Sequence, residues 1–450
     1  MIVNIPPSLE RFCDLVGSGL TKGQRKLVPM LLAGLLLVRG IRSHAAVGRC
    51  VRRHQRDRSS VSRLFRRMRF RTLDLYRSAF QRMVGILGGQ KSRGRRRWAL
   101  SIDGVSTRRG GFSKIANAQQ FRKKARDKKG TSTKAHTFVM GLLITDKGAR
   151  IPVPRRTYYT RAYCRKNKKK YRSQQDLATM MIRDLKLPEG IELIVLADEY
   201  FEGHKLKECC DELGYTFIVP VDSRRTFDRL PGERSGGSLY NWGRTLSRSD
   251  FTHVVLVRGQ EQTGSYRRYT PRRAGPKETR RFRVYRDIRD VAKLGKVLVV
   301  YSWKGPVYRP RYDARRETFK VLVTNNLALT AGEVVEWYDL RWQIELFFRE
   351  LKSDLGLADY RGTDFEAFER HVDLVLLSFL SQEWRRECLH KEARARRTRG
   401  QLAALRTRGM QRLLEEEAEA NDVAYFADCL KTKDGRRELL SILPALRRVG

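Results

Sequence analysis

Residues 338–352 read Tyr338-Asp-Leu-Arg341-Trp342-Gln-Ile-Glu345-Leu-Phe-Phe-Arg349-Glu350-Leu-Lys352. Tyr338, Arg341, Glu345, Arg349 and Lys352 are spaced by three, four, four and three, which puts them on one face of a helix predicted over 330–357. Leu340, Ile344, Phe347, Phe348 and Leu351 fall mostly on the other face. Such a helix offers one carboxylate to a metal and several groups to phosphates. The same spacing also describes a surface helix carrying i, i+4 Arg–Glu pairs.

Working outward, Trp98-Ala-Leu-Ser-Ile-Asp103 is a short apolar strand that runs into an acid. Residues 137–144 and 216–221 form further apolar strands, and 191–197 forms another that ends at Asp198. Helical spacing spans 176–187. Strands alternating with helices predict an α/β core. Side chains at strand ends in such a core converge on a crevice. Carboxylates brought together there repel each other and call for a cation, for which oxygen ligands favour Mg²⁺ or Mn²⁺. Two such ions can activate a water and stabilise a leaving oxygen. Asp103 and Asp198 are the acids placed in this way, although an Asp at a strand end also serves simply to cap a turn. His136 and His204 are further candidates, but a lone histidine is more often a packed or exposed side chain than a ligand.

The rest of the chain divides by texture. Residues 1–97 carry 23 Lys and Arg against four acids, a net charge of +19, on a helical apolar pattern. The stretch 44–69, with an N-cap expected at Ser59-Ser60, fits two readings. One is a helix-turn-helix that presents Ser62, Arg63, Arg66 and Arg67 to DNA; the other is a basic bundle that contacts phosphates alone. Residues 98–221 read as the first part of the core. Residues 222–328 read as a basic, β-rich insertion with strands near 253–257, 296–302 and 319–324. Residues 329–362 hold the helix that completes the core, and 363–450 a helical tail. Basic clusters at 108–109, 123–124, 128–129 and 165–172 interleave with Tyr158, Tyr159, Tyr163 and Tyr171, a composition that can hold phosphates and stack bases.

The whole chain of 450 residues has 94 Lys and Arg against 49 Asp and Glu, a net charge of +45. Nucleic acid is the partner that most simply offsets such a charge. At 41% hydrophobic residues the chain can build a core. Its longest apolar run, 30–38, is far short of the roughly 20 residues of a membrane-spanning helix. Seven scattered cysteines include no C-x-x-C pair, and the first residues carry no basic leader, so a reduced, soluble, intracellular protein is expected. No G-x-x-x-x-G-K-[ST] loop points to an ATP-driven motor.

Tyr338, Arg341, Glu345 and Lys352, as Tyr-x2-Arg-x3-Glu-x6-Lys, resemble the YREK signature of the DDE transposases of bacterial insertion sequences, insertion-sequence family 4 in particular. Ser101-Ile-Asp103-Gly104 resembles the first acidic block of that family, and Leu196-Ala-Asp198-Glu-Tyr200-Phe201 the second. The resemblance covers about residues 98–360. It implies a ribonuclease-H-like core interrupted by a β-rich insertion. Asp103, Asp198 and Glu345 would be the catalytic and metal-binding triad, with two Mg²⁺ ions. Double-stranded DNA, as element ends and as target, would be the substrate of cut-and-paste transposition. Tyr338, Arg341 and Lys352 would contact terminal phosphates, and Trp342 would hold a flipped base; Arg349, on the same helix face, is a further candidate DNA contact. A homodimer with contacts in the helical tail and a prokaryotic, nucleoid-associated cytoplasmic location are implied as well. A catalytically silent DNA-binding derivative and a metal nuclease without strand transfer are the alternatives.

Overall fold

A computed structural model describes residues 2–17, 19–51, 56, 58–67, 71–88, 96–108, 116–121, 133–228, 237–259, 277–304, 319–360, 362–395 and 407–446. The chain forms two compact units. One joins residues 1–83, 107–135 and 348–450; the other joins 84–106 and 136–347. The acids singled out above all belong to the second. Among the described residues, no helix is long and apolar enough to cross a membrane.

The chain opens with five helices: α1 (Pro7–Val16), α2 (Lys22–Leu37), α3 (His44–Arg49), α4 (Arg58–Arg67) and α5 (Thr72–Gly88). Thr21 and Gln24 close a capping box on α2. Ser59 and Ser60 lie inside the first turn of α4 rather than at its cap. Three long helices end the chain, α12 (Phe365–Ala395), α13 (Thr407–Lys431) and α14 (Lys433–Leu446), and they fold with the opening ones. The Glu417 carboxylate of α13 accepts from the Ser8 amide and hydroxyl, both at 2.7 Å. That caps α1, whose own N-cap residue, Pro6, offers no side-chain acceptor. Asp422 accepts from the amides of Val3 and Asn4 at 2.7 and 2.9 Å. Arg370 of α12 donates to the last carbonyls of α4, those of Phe65 and Arg66. Residues 1–83 of the segment read as 1–97 thus share one unit with the tail read as 363–450, while residues 84–97 belong to the other.

The second unit is built on a mixed sheet. Its strands are β1 (Arg96–Arg108), β3 (Thr133–Ile144), β4 (Arg150–Thr157), β5 (Ile191–Ala197), β6 (Thr216–Pro220), β7 (Thr252–Gly259), β8 (Lys277–Val291), β9 (Gly295–Lys304) and β10 (Lys320–Thr324). A short β2 (Gln119–Phe121) pairs with the first residues of β3. β1, β5 and β6 run parallel, with Ile102 opposite Ala197. β3 lies beyond β1, with β4 antiparallel to it. On the other side β10 pairs antiparallel with β6, and β9, β8 and β7 continue the same sheet. The β-rich stretch therefore extends the sheet of the core. Helices α6 (Arg161–Lys166), α7 (Gln174–Arg183), α8 (His204–Glu212), α9 (Leu239–Thr245), α10 (Ala331–Asp339) and α11 (Trp342–Ser353) complete the set. The core is the run of fully buried side chains on β1, β3, β5, β6 and β9, among them Trp98, Phe138, Val195, Phe217 and Val299.

One expected helix is two. The 330–357 pattern breaks between α10 and α11, where Leu340 and Arg341 donate backbone N–H bonds to Trp337 and Tyr338, three residues back. This tightened i→i+3 turn eclipses residues three apart, so Tyr338 and Arg341 come into line.

Candidate active site

β1 continues past Asp103 to Arg108, so Asp103 does not end its strand. It sits where the parallel pairing with β5 stops, one residue beyond Ile102. The partner strand ends one residue before Asp198. In-register parallel pairing therefore carries both acids to the same edge of the sheet, where the strands part. Glu345 comes from the first turn of α11.

Arg341 stands among these acids. One of its guanidinium nitrogens donates to Glu345 Oε1 at 2.6 Å, and another is 4.0 Å from Asp103 Oδ2. Its guanidinium carbon lies 5.8 Å from the Tyr338 ring centre. Burial opposes the Arg341 charge, but Tyr338, Glu345 and Asp198 outweigh it and hold the group above its usual range. Asp103 goes the other way for a carboxyl: burial, with the charges of Asp198 and Glu345, pushes it up to about 6 against the opposing pull of the Gly104 amide and Arg341. Burial also raises the Tyr338 phenol, so it stays protonated at neutral pH. Asp198 acts on Asp103, Tyr338 and Arg341 alike, whereas its neighbour Glu199 is exposed.

The donors suit a hard cation. Asp103 Oδ1 accepts from the Gly104 amide at 2.6 Å and Asp198 Oδ1 from the Glu199 amide at 2.9 Å, while Glu345 Oε1 takes Arg341. Each acid keeps a second oxygen outside these bonds, and oxygen donors are what Mg²⁺ and Mn²⁺ take. Among the described residues, however, no three acidic, His or Cys side chains are placed to hold an ion. Arg341 supplies the positive charge among the acids.

A family model described as a transposase DDE domain matches residues 156–380, half of the chain. The chain belongs to the DDE transposase domain family. The matched residues include Asp198 and Glu345 and begin downstream of Asp103, which the β1–β5 register places beside Asp198. Transposases of this family act on DNA and generally use divalent metals. No individual curated protein matches the chain.

The other expected site residues fall as follows. Trp342 opens α11 and is 39% exposed. Arg349 and Lys352, about two and three turns on, are exposed. Arg63 and Arg66 are exposed on α4; the Arg67 side chain lies outside the described residues. His136 is buried on β3, and His204 is exposed at the start of α8. Of the basic clusters, 123–124 and 128–129 lie outside the described residues, as does Arg109.

Two contributors were not foreseen. Lys320 on β10 donates to the Tyr338 hydroxyl at 3.2 Å and covers its ring at 4.7 Å, so Tyr338 lies between two cations. Ser101 on β1, fully buried, donates to the Arg341 carbonyl at 3.2 Å and so reaches the turn between α10 and α11. A signal for Ser101 was present: it precedes Asp103 by two, hence shares its strand face.

Proposed function

We propose that the chain is a cut-and-paste DNA transposase of the insertion-sequence family 4 type, with Asp103, Asp198 and Glu345 as its metal-binding catalytic triad. One observation carries the reading: acids from β1, the end of β5 and α11 share one electrostatic field, with Arg341 among them. The parallel trio β1, β5 and β6, with acids beside the ends of its first pairing, supports a ribonuclease-H-like core.

Two Mg²⁺ ions, for which Mn²⁺ would substitute, would supply an activated water and stabilise the leaving 3′-oxygen. Arg341 neutralises the acids and, once a phosphate enters, offers it a planar guanidinium. Tyr338 stays neutral and offers a hydroxyl donor. Arg349 and Lys352 extend the cationic face of α11 along the DNA backbone. Trp342 has enough exposed ring to stack on an extruded base, repaying part of the few kcal/mol that unstacking costs. Arg63, Arg66 and Arg67 on α4 contact the element end, and two copies of the chain bring two ends together as a homodimer. Such an enzyme works in the bacterial cytoplasm, on the nucleoid.

The test is cleavage and strand transfer with Mg²⁺ or Mn²⁺, on DNA carrying the element's own flanking ends. Wild type is compared with Asp103→Ala, Asp198→Ala and Glu345→Ala. Joined products in wild type, lost in all three variants while DNA binding persists, are expected. Cleavage that survives all three changes sinks the triad. Cleavage without joining leaves a nuclease. Binding without cleavage leaves a silent DNA-binding derivative.

A further inference from the structure

The segment between β4 and α7, residues 158–172, takes no part in the site described above. It holds seven Lys and Arg between Arg161 and Arg172 and no acid. All seven are exposed, and among the described residues none forms an ion pair. A run of like charge is normally a mobile, solvated tail. This one is built into a fixed shape.

Two observations show how. Tyrosines form its frame: Tyr159 stacks on Tyr163 with ring centres 5.4 Å apart, and the Lys169 ammonium lies 4.4 and 5.5 Å from those rings. Tyr158 meets Tyr171 edge-on, their hydroxyls 3.2 Å apart, and Arg161 covers the Tyr171 ring at 4.9 Å. The rings serve each other and the cations, so the bases that the sequence reading offered them have less to stack on. The second observation is the end of α6. Lys169 N–H bonds to the Cys164 carbonyl at 2.9 Å and Lys168 N–H to that of Arg165 at 3.4 Å, the paired bonds of a Schellman turn. The residue that such a turn holds in the left-handed region is usually glycine or asparagine; here it is Lys168, with φ of 51°. A cation stands at a position where the backbone favours residues without charge.

We propose that residues 158–172 form a docking surface for the sugar–phosphate backbone of duplex DNA, contacted without regard to sequence. This rests on the reading of the chain as a DNA transposase and adds a surface outside its three acids. The surface flanks the edge where β5 ends: Gln175, just past the loop, donates to the Tyr200 carbonyl at 2.9 Å, and Tyr158 lies within electrostatic reach of Tyr200. A protein partner or a lipid surface would need exposed apolar anchors. The tyrosines here are half-buried and engaged, whereas polyphosphate needs only cations held at fixed positions.

The experiment uses the full chain in EDTA and a scrambled-sequence duplex, with affinity read by fluorescence anisotropy over a salt series. Changing Lys166, Lys168, Lys169 and Lys170 together to Gln is expected to weaken binding at least tenfold. It should also flatten the log–log salt dependence by about 0.9 for each phosphate no longer neutralised. Lys168→Gly, which suits the left-handed backbone, is expected to keep or raise the melting temperature and still weaken binding. Unchanged affinity and slope in both variants overturn the proposal. Because binding is read without metal, the two readings separate. Wild-type transposition with unchanged binding in the variants sinks this surface alone. Weakened binding in a chain that never cleaves keeps the surface and sinks the transposase.

Discussion

The Ser101 hydroxyl donates to the main-chain carbonyl of Arg341, so one part-buried bond ties the strand bearing Asp103 to the turn that leads into the helix of Glu345. Ser101→Ala is expected to cost about 1 kcal/mol of stability, the usual worth of such a bond. If the bond positions the acids, single-turnover cleavage should also slow several-fold while DNA affinity holds. A lowered melting temperature with an unchanged cleavage rate would make it structural only.

Asp103 gives a pH signature. Its folded-state carboxyl sits near 6, above the ordinary 3.8, mainly through burial. The folded state therefore binds this proton more tightly than the unfolded one, and ionised Asp103 burdens the fold. That burden is absent below about 4, grows as pH rises towards 6 and then levels off. In EDTA, Asp103→Asn should match wild type near pH 4 and exceed it at pH 7 by on the order of 2 kcal/mol. Denaturant unfolding at several pH values measures the difference. A gap that does not change with pH would remove the coupling.

Arg341 is the counter-charge to the acids, with its side chain 13% exposed. Arg341→Ala should destabilise the metal-free chain by about 2–3 kcal/mol at neutral pH, because the carboxylates lose their partner. Added Mg²⁺ should then raise the melting temperature more in the variant than in wild type, since a ligand stabilises what binds it. Equal increments would show that no ion replaces the arginine charge.

On α4, Arg63→Ala with Arg66→Ala should separate the two readings of this segment. If the helix reads sequence, affinity for the native end falls by about 1–3 kcal/mol for each base no longer hydrogen-bonded, and affinity for a scrambled duplex falls less. Equal falls on both duplexes would leave a phosphate-binding bundle.

Glu417→Ala removes the cap of α1 and the partner of Ser8 together. A loss of about 1–2 kcal/mol is expected. Limited proteolysis should cut earlier within residues 2–16 of the variant, and wild-type cutting kinetics there would show that Glu417 does not hold α1.

The sequence was most legible where one rule acted alone. The β5 strand at Ile191–Ala197 needed only an apolar run, and its acid only a position at the end of that run. The α10–α11 break was not visible, because two residues of tighter winding turn the apolar stripe by too little for the pattern at Leu340, Ile344 and Phe347 to register. Strand β8 was missed because its sequence, Lys277–Val291, is rich in arginine and acid. There Arg289 is 3% exposed, lodged 4.3 Å from the Trp242 ring and 4.9 Å from that of Phe227, and ion-paired to Asp287. Aromatic faces let a guanidinium count as core, which a polar–apolar alternation cannot express. The Glu417–Ser8 and Asp422–Val3 bonds span more than 400 residues, beyond any local pattern.

Those long-range bonds also set a timetable. Residues 2–8 leave the ribosome hundreds of residues before the α13 carboxylates that fasten them are made. At the roughly 5–20 residues added per second in a cell, α1 waits on the order of tens of seconds for its clasp. Over that interval α1 is available to chaperones and proteases, and a message cut short before α13 yields a chain in which Val3 and Ser8 are never fastened.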